Sequence, residues 1–285
     1  MDLSTLVGNT PLIKISDHLY AKLETYNPTG SIKDRMALYI LNKAEKEGQI
    51  KKGDTIVEAS SGNTGIAFSM LGAVKGYKVK IIMPCNMSDE RKQMMRLYGA
   101  EIIEVGNNAF KDAIAMRDEM VKEKDYWSPK QFCNECNIEC HENTTAKEII
   151  KQLFIEEKKE IDALICGAGT GGTIMGVNKA LKRINKYLKT VLVAPEEDAA
   201  SHGIQGINDG ADFLVDRSII DEEIKISTQA AIEKARELTK KYGLLVGISS
   251  GANILACEKW IKENKPQGAV VTFLCDRGER YMSIY

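Results

Sequence analysis

The chain has 285 residues, 44% of them apolar and 28% charged, with a formal net charge of −1. That length suits two domains or one large α/β unit, and near-neutrality removes the electrostatic basis for nucleic-acid binding, which rests on neutralising phosphates. No apolar run approaches the roughly 18 residues that cross a bilayer, and the opening Met-Asp-Leu-Ser-Thr lacks the basic and apolar regions of a signal peptide.

In chain order, residues 43–47 mix Lys and Glu as on a solvated helix face. Residues 56–58 read as a strand, followed by a glycine-rich turn and a helix over 66–74. A strand over 78–83 stops at Pro84. Residues 91–97 read as helix, 101–105 as strand and 109–123 as helix. The stretch 127–134 is polar and irregular. Residues 163–166, 191–193 and 270–274 are short buried-type strands, separated by helices that include 230–242 and 252–263. Strands alternating with helices predict parallel sheets covered on both faces. The pattern runs once before about residue 130 and again after about 145, which predicts two α/β domains with a cleft between them. The seven cysteines (Cys85, Cys133, Cys136, Cys140, Cys166, Cys257 and Cys275) are odd in number and mostly within apolar segments. Reduced thiols in a cytoplasmic protein fit them better than a disulfide framework.

Three glycine-rich turns follow predicted strands and open helices, where free N–H groups and the positive dipole end attract anions. The first, Ser60-Ser-Gly-Asn-Thr-Gly65, has more small and polar residues than a helix cap needs, so it is a candidate cradle for a carboxylate or phosphate. The second, Gly167-Ala-Gly-Thr-Gly-Gly-Thr173, contains the spacing of a dinucleotide fold, with Glu196 near the end of the next strand. Thr170 and Thr173 point instead to a single phosphate. The third is Gly247-Ile-Ser-Ser-Gly-Ala252, after 244–246. In Asn27-Pro-Thr-Gly-Ser-Ile-Lys-Asp-Arg35, Lys33 sits beside a tight turn with Asp34 and Arg35 following.

Together these segments resemble the fold-type II pyridoxal-phosphate family, in the branch of cysteine synthase (O-acetylserine sulfhydrylase) and cystathionine β-synthase. Val7-Gly-Asn-Thr-Pro-Leu12 resembles its first strand motif, residues 27–33 its cofactor-lysine motif, 60–65 its substrate loop and 167–173 its phosphate loop. Residues 247–251 and Asp276-Arg-Gly-Glu-Arg-Tyr281 match two more segments, so the resemblance runs from residue 6 to 283. It implies two three-layer α/β/α domains of tryptophan synthase β-like fold, with the active site in the cleft. The larger would comprise 1–35 plus 135–285 and the smaller, mobile one 36–134. It implies that Lys33 carries pyridoxal 5'-phosphate and is the catalytic base. Gly169, Thr170, Gly171, Gly172 and Thr173 would hold the phosphate, Asn63 the ring oxygen, and Ser249 would face the pyridine nitrogen. Ser60, Ser61, Thr64 and Gln131 would bind the substrate carboxylate.

A neutral hydroxyl at the ring nitrogen does not enforce its protonation. That suits loss of a leaving group from Cβ soon after proton abstraction, giving an aminoacrylate that sulfide, a thiol or water attacks. The expected reaction is cysteine synthesis from O-acetylserine and sulfide, by a homodimer. The alternative is an L-cysteine-consuming enzyme that releases hydrogen sulfide and yields serine or a thioether amino acid. A nicotinamide-dependent oxidoreductase would leave Lys33, Asn63 and Ser249 unexplained.

Three features depart from the family pattern. Asp209, in Ile207-Asn-Asp-Gly210, supplies a carboxylate near the cleft; it is either a turn residue or a group that activates water or a thiol. Cys133, Cys136, Cys140 and His141 have the spacing of a metal site or redox pair, although helical packing accounts for Cys136 and Cys140, and no metal is assigned. Cys275 falls where the last strand meets the cleft.

Overall fold

The computed structural model describes residues 5–198, 202–207 and 212–285. Two short strands, β1 (Leu12–Lys14) and β2 (Leu19–Leu23), pair antiparallel near the N-terminus. After helix α1 (Lys33–Lys46) come three rounds of strand and helix: β3 (Thr55–Ala59), α2 (Asn63–Lys75), β4 (Lys78–Pro84), α3 (Asp89–Leu97), β5 (Glu101–Val105) and α4 (Phe110–Lys124). Two short helices, α5 (Cys136–Asn143) and α6 (Thr145–Ile149), lead to β6 (Ile161–Gly167), α7 (Gly172–Ile184) and β7 (Lys189–Pro195). The chain closes with β8 (Glu222–Ile226), α8 (Thr228–Tyr242), α9 (Ile248–Asn264) and β9 (Ala269–Leu274).

Local chemistry sets the helix ends. The Ser227 side chain accepts a hydrogen bond from Ala230 N and starts α8, while Gly243 ends it in the left-handed conformation. The strands form two sheets. One has the order β1-β2-β9-β6-β7-β8, parallel except for β1; the other is β3-β4-β5, all parallel.

Side-chain alternation covers both faces of the larger sheet. On β9, Val270 and Leu274 pack toward α8 and α9, while Val271 and Phe273 pack toward α6 and α7. On β3, Ile56 joins the core under α1 and α2, and Val57 the core under α4. Each sheet is therefore the middle layer of three. The strands predicted at 56–58, 78–83, 101–105, 163–166, 191–193 and 270–274 are all present, each matched or lengthened by one to four residues. β2 was not predicted because Lys22 interrupts its apolar run; its ammonium is buried against Thr10, Gln152 and Glu148. The apolar stretch 244–246 forms no strand. Leu245 O and Gly247 N are tied to Gly278 N and Asp276 O, across the chain leaving β9, so the segment lies at the end of the sheet.

Candidate active site

The carboxyl ends of β3, β6 and β9 open on one cleft, the usual ligand position in parallel α/β sheets. Lys33 is the first residue of α1. The turn before it is pinned to the chain leaving β9: Ile32 N donates to Cys275 O at 2.9 Å, and Arg277 N to Gly30 O at 3.1 Å. Gly30 takes φ +80, and a β-carbon there would lie 2.8 Å from Arg277 Cδ. Asp34 faces the other way. It accepts Thr29 N at 2.7 Å as well as the Thr29 hydroxyl, and burial raises its carboxyl to about 6 against those bonds.

The cleft has two joined compartments that share Lys33, Asn63, Gly169 and Thr170 in their walls. The upper one is walled by Ser60, Ser61, Asn63 and Thr64 at the start of α2, with Gln131, Phe132 and Arg91. Ser60 Oγ accepts from Gly62 N and Gly65 N at 3.1 and 3.0 Å, so this hydroxyl caps the loop internally. Thr64 Oγ1 donates to Gln131 Oε1 at 2.6 Å, and Gln131 Nε2 donates to Ala59 O at 2.9 Å.

The lower compartment is walled by Gly169, Thr170, Gly171 and Thr173 at the start of α7, with Ser249, Cys275 and Asn63. Gly172 does not face it; a β-carbon there would lie 2.0 Å from Asn137 Oδ1, so this glycine serves close packing. Helix α5 props the loop from behind. Asn137 Nδ2 donates to Thr170 Oγ1 at 2.9 Å, and His141 Nε2 lies 3.3 Å from Thr173 Oγ1. Burial, then the charges of Lys33 and Arg35, hold His141 well below the imidazole range, so its ring is neutral.

Lys33, Asn63, Gly169 and Thr170 line both compartments. Asn63 Nδ2 donates to Asp276 Oδ2 at 2.7 Å, and Tyr281 OH donates to the same oxygen at 2.7 Å. Because a carboxylate only accepts, Asp276 fixes which end of the Asn63 amide faces away, and Asn63 Oδ1 is buried without a partner. Burial pushes the Cys275 thiol up to about 12, away from thiolate.

All candidate residues within the described chain thus converge, with Gly172 one layer back; Asp209 lies outside the described residues. His141, weighed as a metal ligand, is bonded to Thr145 and Thr173 instead. Among the described residues no group of three or more His, Cys, Asp or Glu could hold a metal ion. Sequence reasoning missed Arg91, Asp276 and Tyr281 as parts of the site. Asp276 and Tyr281 did fall in a matched segment; Arg91 carried no signal beyond its helix. Arg91 is 2% exposed, and its guanidinium lies 4.6 Å over the Tyr281 ring and donates to Gln205 Oε1.

Comparison with known proteins agrees with this geometry. The family model described as pyridoxal-phosphate dependent enzyme matches residues 3–276. Cysteine synthase of Staphylococcus aureus is 42% identical over 300 residues, spanning 99% of this chain and 95% of its own. A hydrogen sulfide-producing enzyme from Fusobacterium nucleatum superposes with a TM-score of 0.91 at 42% identity, over 99% of both chains. A mutant of another such enzyme from that organism, solved with an α-aminoacrylate intermediate, gives 0.92 at 38% identity, over 99% of this chain and 90% of its own. A family model spanning nearly the whole chain, and relatives this similar end to end, make the chain a member of the pyridoxal-phosphate dependent enzyme family.

Proposed function

We propose that the chain replaces or removes the β-substituent of a small amino acid, with cysteine synthesis from O-acetylserine and sulfide as its main reaction. The observation that carries this reading is the position of Lys33 on the seam between the two compartments. Lys33 thus shares one compartment with the Gly169–Thr173 loop and the other with the Ser60–Thr64 loop.

The residues fit pyridoxal phosphate. Gly171, at φ +92, lets the backbone turn into α7, whose free N–H groups and the Thr170 and Thr173 hydroxyls suit a phosphate. The unpartnered Asn63 Oδ1 offers an acceptor to the ring oxygen in its hydroxyl form. Ser249 offers the ring nitrogen a neutral hydroxyl. When bound, the cofactor supplies an electron sink for the charge left on Cα. Lys33 Nζ takes the Cα proton. Ser61, Thr64 and Gln131 orient the substrate carboxylate at the start of α2, with Ser60 holding the loop that presents them. Phe132 and Tyr281 add aromatic surface to the same compartment.

The second reading is sulfide release from L-cysteine. Its support is the Fusobacterium enzyme, as similar in sequence as the cysteine synthase and matched along its full length. Asp209 would then activate the incoming water or thiol. We extend the proposal to a homodimer in a reducing, cytoplasmic setting, with 36–134 moving against 1–35 and 135–285. The seven free cysteines support the reducing setting.

The test compares, in one preparation, cysteine formation from O-acetylserine plus sulfide with sulfide release from L-cysteine. Faster formation with negligible release is expected. Dominant release that collapses in Asp209→Ala would establish the second reading. Borohydride reduction followed by peptide mapping should find the cofactor on Lys33, and a label elsewhere would remove the shared basis of both.

A further inference from the structure

Gln131 sits on the irregular chain between α4 and α5, which has no helix or strand of its own to hold it. Lys130 before it takes φ +49, and Gln131 is nevertheless 3% exposed. Its peptide N–H donates to Glu58 Oε2 at 3.2 Å, and its carbonyl accepts from Asn137 Nδ2 at 3.1 Å. The other Glu58 oxygen, Oε1, accepts Ala59 N at 2.8 Å and Arg117 NH1 at 2.9 Å. Glu58 lies on β3, two residues before the Ser60 loop, and Arg117 on α4. Neither lines the cleft.

Every acceptor position in this set is used in one sense. Burial favours the neutral carboxyl of Glu58, and the Arg117 charge opposes it. A protonated Glu58 would replace an acceptor by a donor and lose its hold on either the Gln131 N–H or the guanidinium. Gln131 in turn spends Oε1 on Thr64 and one Nε2 hydrogen on Ala59 O, leaving the second Nε2 hydrogen at the upper compartment. A displacement of about 1 Å there is enough to spoil a positioned contact.

We propose that Glu58 and Arg117 are positioning residues for the carboxylate end of the amino-acid substrate, acting through Gln131. The inference rests on the reading that Gln131 meets that carboxylate, and its test keeps the two apart. The cofactor-loaded full chain is titrated, by its visible absorption, with L-alanine and with ethylamine, the counterpart lacking the carboxylate. Gln131→Ala and Arg117→Met should each weaken L-alanine binding about tenfold or more, the scale of a lost hydrogen bond to a charged group. Ethylamine binding should not move, and Arg117→Lys should recover most of the loss. Glu58→Gln, nearly isosteric, serves as the second variant should Arg117→Met fold poorly, and should show the same selective loss. Gln131→Ala weakening L-alanine while Arg117→Met and Glu58→Gln do not would overturn the positioning role alone. Equal losses for both ligands would mean general loosening and would also overturn it. Unchanged L-alanine affinity in Gln131→Ala would remove the carboxylate reading, and the inference with it.

Discussion

Gly171 illustrates how much one absent β-carbon decides. Its φ is +92, and an added Cβ would lie 2.8 Å from Val215 N and 3.0 Å from Leu214 C, backbone atoms that have no rotamer to change. Gly171→Ala therefore combines a left-handed cost of about 1–2 kcal/mol with a steric overlap. The expected result is a cofactor dissociation constant raised at least about tenfold, from 1.4 kcal/mol per decade, measured by dialysis and visible absorption. Unchanged affinity would remove the loop from the phosphate. Such a position is legible in a sequence because a positive φ and a close backbone approach restrict residue type, as the glycine run 167–172 shows. The orientation of Asn63 is not. It depends on Asp276, 213 residues away, which no local pattern links to it.

At the scale of elements, α5 follows the helical-packing reading of Cys136 and Cys140. Cys-Asn-Ile-Glu-Cys-His-Glu-Asn folds as a helix with two working faces. Asn137 and His141, four apart, point together at the start of α7, while Cys140 is buried in the core under α1 and α2. The thiols and the imidazole thus face different neighbours, the physical reason that a spacing suggesting metal has no metal geometry. The contact with α7 is close because Gly176 has no side chain: a β-carbon there would lie 2.3 Å from Ile138 O and 2.8 Å from Glu142 N. Gly176→Ala should push the helices apart and destabilise the fold by about 1–3 kcal/mol, the usual cost of overpacking. Because α5 also braces Thr170 and Thr173, cofactor affinity should fall with it. A lower thermal midpoint in the cofactor-free protein with unchanged cofactor affinity would separate helix packing from loop support.

At the scale of the whole molecule, a buried set of charges fastens the N-terminal segment to the rest of the fold. Glu148, on α6, accepts Arg35 NH1 and NH2 at 2.6 and 2.8 Å, Lys22 Nζ at 2.7 Å, and the peptide N–H groups of Asn9 and Thr10 at 2.9 and 3.2 Å. Arg35 also pairs with buried Glu24 at 2.7 Å. These residues are far apart in sequence, and each alone reads as an ordinary surface charge, so the arrangement is invisible before folding. Burial by itself would raise the Glu148 carboxyl, but Arg35 and Lys22 outweigh it and bring it from 4.5 down to about 2. A folded-state value below the unfolded one contributes stability that is full above 4.5 and lost as the pH falls toward 2, because the unfolded chain takes up the proton first. Removing the charge leaves Arg35 and Lys22 short of a partner in a buried site, which typically costs about 3–5 kcal/mol. Glu148→Gln should therefore be markedly less stable than the parent in urea near neutral pH, with the gap narrowing as the carboxyl titrates on acidification. A deficit that stays constant through that range would assign the loss to packing or to the Asn9 and Thr10 hydrogen bonds, and would take the charge out of the account.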